Sequence, residues 1–157
     1  MTEMREQKRG RRIAMTPTEL DSFLAEERTC RVATLGGDGS PHVSPLWFVW
    51  DGASLWLNTL VKSQRWTNLV RDPRVSVAID AGLDFSELRG VVIEGRAQPT
   101  GDAPRTSTPD AAVDDAERRF ADKYQGGGTF TPDGRHAWVK VVPNKVSSWD
   151  FRKMTGA

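Results

Sequence analysis

The sequence predicts a mainly β fold of about six strands with three short helices inserted between them. Three observations carry this. Short runs with period-two apolar alternation follow one another along the chain, Gly, Pro and Asp clusters punctuate them, and only three segments show a helical apolar stripe. Strands at this spacing close into a barrel or a sandwich.

The first helix opens at Thr16-Pro17-Thr18-Glu19. Thr16 can cap, Pro17 suits the first helical position, and Glu19 completes a capping box. Leu20, Phe23 and Leu24 carry its apolar stripe to about Glu27. Residues 30–35 alternate as a strand, and Gly36-Gly37-Asp38-Gly39-Ser40 turns the chain. Residues 41–50 form a second strand, whose prolines imply an edge or a bulge. Asp51-Gly52 signals a hairpin into a third strand over 53–59. A helix over 62–71 follows, stopped by Asp72-Pro73. Residues 74–80 and 89–98 read as the fourth and fifth strands, with a loop over 81–88. Gly90 and Gly95 mark bends or bulges in the fifth. After a loop over 99–110, residues 110–124 place Val113, Ala116, Phe120 and Tyr124 at helical spacing. Gly126-Gly127-Gly128 ends that helix. The last strand spans 136–142 and 145–149, interrupted at Pro143-Asn144.

At 157 residues the chain fits one domain, read here as 14–157 behind a flexible basic leader over 1–13. That leader carries Arg5, Lys8, Arg9, Arg11 and Arg12, a solvated tail or an arm over an anionic ligand or partner. The 22 basic and 21 acidic residues nearly cancel, which argues against broad nucleic-acid binding. A single cysteine, Cys30, excludes an internal disulfide and fits a reducing compartment. No apolar run suits a membrane span and the N-terminus lacks a secretory pattern, so a cytoplasmic location is expected. Six tryptophans are available for core and dimer packing, or as walls for a flat aromatic ligand.

Familiar catalytic signatures are missing. The two histidines, His42 and His136, stand far apart, and no Cys pair or His-Glu-x-x-His gives metal spacing. Ser44 and Ser63 lack a nucleophile elbow. There is neither a phosphate loop nor a dinucleotide fingerprint. The informative stretch runs from Asn58 to Leu69, where a strand ends and a helix begins. Lys62 and Arg65 then fall in the first helical turn, an unfavourable place for cations unless an anion binds there. Thr59 and Ser63 add hydroxyls. Exposed cations beside an ordinary serine cap are the competing account.

Val61-Lys62-Ser63-Gln64-Arg65-x-x-Asn68-Leu69-x-x-Asp72-Pro73-Arg74-Val75-Ser76 resembles the phosphate-binding signature of the pyridoxamine 5′-phosphate oxidase-like split barrels. The similarity is closest to the actinobacterial branch that uses the deazaflavin F420. Gly39 to Phe48, Leu88 to Gly95 and Val146 to Lys153 resemble further strands of that family, so the likeness covers about residues 16–154. It implies a six-stranded antiparallel Greek-key split β-barrel with flanking helices, built as a homodimer with cofactor sites at the subunit interface. By the same resemblance Asn58, Thr59, Lys62, Ser63 and Arg65 hold the cofactor phosphate. His42, Val43, Ser44, Pro45, Leu46 and Trp47 run beside the ring, and Trp149 reaches the neighbouring subunit's cofactor. Arg65 stands where relatives often carry lysine, which keeps the charge and changes the donor geometry. The chain ends eight residues after Trp149, short of the basic residues that bind the substrate phosphate in true pyridoxamine phosphate oxidases, so vitamin B6 oxidation is not expected.

The expected activity is hydride transfer from reduced F420 to a small unsaturated or quinone-like acceptor. FMN is the alternative cofactor, and a non-catalytic flavin, F420 or haem carrier the alternative role. F420 has a long anionic tail, for which Arg65, Arg71 and the basic leader are candidates. Proton delivery falls to solvent, or to His42 or Tyr124. No catalytic base and no metal site is assigned.

Overall fold

A computed structural model describes residues 3–154. Six antiparallel strands close a barrel in the order β1-β2-β3-β6-β5-β4. They are β1 (Thr29–Leu35), β2 (Pro41–Trp50), β3 (Leu55–Leu60), β4 (Arg74–Ala81), β5 (Arg89–Thr100) and β6 (His136–Asp150). Three helices flank it: α1 (Pro17–Glu26), α2 (Gln64–Arg71) and α3 (Ala111–Tyr124). Among the described residues, no helix is long and apolar enough to cross a membrane.

Local chemistry explains most boundaries. Thr16 Oγ1 accepts from Glu19 N–H and Glu19 Oε1 accepts from Thr16 N–H, the reciprocal box that starts α1. Asp51 accepts from Ala53 N–H, Ser54 N–H and Trp56 Nε1, so the turn consumes residues 51–54 and β3 starts at Leu55 rather than at 53. β6 runs unbroken through Pro143-Asn144, because its register with β5 shifts at Glu94/Gly95 and absorbs the irregularity. A Cβ on Gly95 would lie 2.3 Å from the Val142 carbonyl oxygen, so only glycine fits that bulge. The main core fills the barrel with Val32, Phe48, Leu57, Val77, Ile93 and Val139 among others, closed at one side by Phe23 and Leu24 of α1. A second cluster packs Trp56 and Trp138 under Val113 and Phe120 of α3.

Two further features differ from expectation. α2 begins at Gln64 with Ser63 as its cap, which leaves Lys62 in the preceding turn rather than in the first helical turn. The basic leader, read as a solvated tail or as an arm over a ligand or partner, runs beside β6 in its described part, residues 1–2 lying outside the described residues. Arg5 bridges Lys145 in parallel and donates its N–H to the Asn144 carbonyl at 2.8 Å. Gln7 imitates a strand with its side chain, donating to Ser148 O and accepting from Ser148 N–H, both at 3.0 Å. The second half of β6 has no β3 partner, because β3 pairs only with His136–Val141, and the leader covers part of that open edge.

Candidate functional site

The wall of the barrel changes hands along β2. Pro41–Trp47 pair with β1, whereas only Phe48–Trp50 pair with β3. The other edge of the His42–Leu46 backbone therefore faces a gap. Arg65, projecting from the first turn of α2, spans this gap. Its Nη1 donates to Ser44 Oγ of β2 at 2.6 Å and its Nε to Thr59 Oγ1 of β3 at 3.3 Å.

Arg65 is 8% exposed, and among the described residues its side-chain partners are those two hydroxyls, with no carboxylate. Burial holds its guanidinium below the ordinary arginine value. A buried cation without an anionic partner is costly, and the helix N-terminus beside it has no acidic residue to offset the charge. Next to it, Asn58 Oδ1 is buried without a hydrogen-bond partner.

These groups open onto a cavity of about 470 Å³, a size typical of small-molecule sites. β2 contributes Pro45, Leu46 and Trp47, β3 contributes Asn58 and Leu60, and α2 contributes Arg65. The opposite wall comes from Arg105, Phe120 and Gln125, the Phe130–Asp133 stretch and His136. Arg105 is a different kind of cation from Arg65. Glu117 binds it through two bonds of 2.9 and 3.0 Å and Asp102 through one of 3.0 Å, and these carboxylates raise its pKa despite burial. It staples the loop before α3 instead of awaiting a ligand.

Of the residues expected to form the site, Pro45, Leu46, Trp47, Asn58 and Arg65 meet on this cavity. Ser44 and Thr59 stand behind Arg65 and aim it. His42 and Val43 lie further along the same open edge, outside the lining; Val43 is exposed, and His42 Nδ1 is buried without a partner. Lys62 is exposed and is not part of the cavity lining. The Ser63 hydroxyl is spent on the helix cap, accepting from Trp66 N–H and donating to Leu60 O at 2.7 Å. Trp149 lies elsewhere in the protomer. It packs over its cross-strand neighbour Gly90, where a Cβ would come within 2.5 Å of the indole ring.

Tyr124, weighed as a proton source, is tied up. Its hydroxyl lies 2.7 Å from both the Arg28 and Phe48 carbonyls and accepts from Phe48 N–H, and burial pushes its pKa up to about 12. Its ring stacks on Trp47 with centroids 4.3 Å apart, which fixes that indole at the cavity rim. Sequence reasoning missed Phe130, Asp133 and His136. His136 was noted only as an isolated histidine, and nothing local announces that the glycine-rich loop folds back over β3.

A six-stranded barrel, split beside β2 and holding at the split a buried arginine with no carboxylate partner among the described residues, places the chain in a recognisable class of fold. The chain belongs to the pyridoxamine 5′-phosphate oxidase family, whose profile, described as "Pyridoxamine 5'-phosphate oxidase", matches residues 16–150. No curated protein matches. Among solved structures, a conserved hypothetical protein from Mycobacterium tuberculosis is 32% identical with a TM-score of 0.81, covering 95% of this chain and 93% of that one. A FAD-binding protein from Mesorhizobium loti is 21% identical with a TM-score of 0.65, covering 86% and 93%. A protein titled F420 reductase is 22% identical with a TM-score of 0.61, covering 81% and 94%. The last two likenesses show the fold alone.

Proposed function

We propose that the chain binds a phosphorylated flavin-type cofactor at the split and serves as an F420-dependent oxidoreductase for small unsaturated or quinone-like acceptors. It would work in the cytoplasm as a homodimer with sites at the subunit interface. The observation that carries this reading is Arg65, buried, held by two hydroxyls and without an acidic partner among the described residues. A phosphate ester supplies the missing negative charge and accepts from a planar guanidinium in good geometry.

The residues present fit such a group. Arg65 and Asn58 would hold the phosphate end, with Ser44 and Thr59 fixing the guanidinium. The open edge of the β2 backbone from His42 to Leu46, on the side away from β1, offers N–H and C=O groups to the polar edge of a flat ring, and Trp47, clamped by Tyr124, closes one side. When bound, the reduced ring supplies the hydride. The chain's own part is to orient, to exclude water and to offset charge. The Tyr124 hydroxyl is engaged with main-chain carbonyls, which favours solvent over Tyr124 as the source of any proton.

The choice of F420 rests on its long anionic tail. An open groove of about 920 Å³ along the strand that carries Trp149 is lined by Arg5, Lys8, Arg9, Arg11 and Lys145 together with Glu3 and Glu6; Arg5 and Lys145 pair with Glu94 and Arg11 with Glu6, which leaves Lys8 and Arg9 as the cations for an anionic tail. If Trp149 crosses to a partner's site, this basic groove travels with it. A specific observation favours FMN as the second reading. Arg71 donates to the Leu35 carbonyl at 2.6 Å and to Asn68, so it is not available to a tail, and Arg65 is the one unpaired arginine lining the cavity.

Fluorescence titration of the purified protein with F420 and FMN side by side tests the proposal. Binding of either, weakened at least tenfold in Arg65→Met, is the expected result; failure of both to bind overturns it. Turnover of reduced F420 with a panel of acceptors separates an enzyme from a carrier.

A further inference from the structure

The loop between α3 and β6 puts an imidazole on the wall of the Arg65 cavity. His136 opens β6 directly opposite Leu60, the last residue of β3, and Val61 N–H donates to the Arg135 carbonyl at 3.0 Å. The loop is thereby fastened to the turn that leads into α2. His136 Nδ1 lies 2.5 Å from Asp133 Oδ2. The other Asp133 oxygen accepts from Arg135 N–H at 2.8 Å and His136 N–H at 3.0 Å. Burial opposes charge on Asp133, but these donors and the imidazole outweigh it and hold the carboxyl below its usual range. Asp133 is therefore an acceptor, Nδ1 carries a proton, and Nε2 is the nitrogen whose state can change.

We propose that His136 is a proton-dependent anion-binding residue of this cavity, its imidazolium acting with Arg65 on the phosphate of an organic phosphate ligand. The identity of that ligand rests on the cofactor reading above; the phosphate chemistry does not. The charges around the imidazole are few. Its own loop supplies Asp133 and Arg135, which lie 3.8 Å apart. α2 supplies Arg65, and the loop before α3 supplies Arg105, neutralised by Asp102 and Glu117. The cavity-lining residues of β3 and α3 are uncharged. With only one unpaired cation on the wall, a bound anion favours protonation of Nε2, and by reciprocity protonation favours the anion.

The chain has two histidines, so imidazole NMR of the full-length protein, assigned with His136→Gln, follows each separately. Sulfate is the first probe, because its charge does not change between mildly acid and mildly alkaline pH; FMN and F420 are the second and third. Saturation with a probe should move the His136 titration to higher pH by about half a unit or more, which is roughly a threefold linkage. Affinity for sulfate should weaken at least threefold as His136 loses its proton, and the His136→Gln variant should lose that dependence. A purely structural Asp133–His136 turn would leave the titration unmoved by any probe. A shift with sulfate when neither cofactor binds would uphold this inference and remove the cofactor reading. Binding of FMN or F420 with His136 unmoved would overturn this inference and keep the cofactor reading. No binding by any probe would overturn both.

Discussion

Lys123 is held in ground that disfavours its charge. Its Nζ donates to the Leu24 carbonyl at 3.0 Å and sits 4.1 Å from the centre of the Phe48 ring, and no carboxylate pairs with it among the described residues. Desolvation dominates and brings the amine down to about 8 from its ordinary 10.5. Below pH 8 the ammonium is charged in both folded and unfolded chains, so the folded state bears the whole desolvation cost. Between about 8 and 10.5 the unfolded chain binds a proton that the folded one does not, and stability from this group rises with pH. Buried Cys30, pushed up to about 12, works the other way from about pH 9 upward. Lys123→Met isolates the first effect. The variant should be more stable than the parent at pH 7 by about 2 kcal/mol after discounting for partial exposure. That advantage should shrink toward zero by about pH 10.5. Thermal melts of both proteins across this range would show it, and an advantage independent of pH would refute the account. None of this was legible in the sequence, where Lys123 is one polar residue near the end of a helical stripe.

At the scale of elements, legibility followed the range of the interaction. The capping box of α1, the Asp51-Gly52 turn and the strand-to-helix step at Asn58–Leu69 are local, and each was readable from neighbouring side chains. The start of α2 was placed two residues early because the Ser63 hydroxyl, read as a ligand donor, is the cap itself. The path of the leader is not readable from its own residues, because what holds it lies 141 residues away, where Gln7 meets Ser148. Composition shows five cations and no apolar stripe there; it does not show that β6 has an open edge needing cover. The Ser148 N–H points to the leader rather than to β5, so it reports directly on this contact. In Gln7→Ala its hydrogen exchange should quicken about fivefold, for loss of two hydrogen bonds worth ~1 kcal/mol together. Amides of β6 that pair with β5 should hold their protection. Unchanged exchange at Ser148 would mean that the side-chain clamp does not secure the leader.

For the whole molecule, the barrel was legible as a class and the cavity only in part. β2, Asn58 and Arg65 were readable because they share a short stretch of chain; the far wall joins β3 to a loop seventy residues on. Trp149 poses the remaining question of scale. It does not line the Arg65 cavity of its own protomer, so a joint role there calls for a second copy. The outer face of the sheet suits such a contact. Arg31, Ala78, Val92 and Ser147 form one row across β1, β4, β5 and β6, and Ala33, Ser76, Glu94 and Lys145 form the next. Most of these side chains are short, so two barrels could approach over these rows beside the groove that the leader forms at Lys145 and Ser147, and isologous contact of one patch with itself closes a dimer. If the sites are shared, Arg65→Met and Trp149→Ala each spoil both sites of their own dimer, by different halves. After subunit exchange, half the dimers are mixed, and each mixed dimer regains one site with an intact Arg65 facing an intact Trp149. Cofactor binding should then recover to about a quarter of the wild-type number of sites, with wild-type affinity. Mixing without any recovery, in a sample whose sedimentation shows exchanged dimers, would confine each site to a single chain.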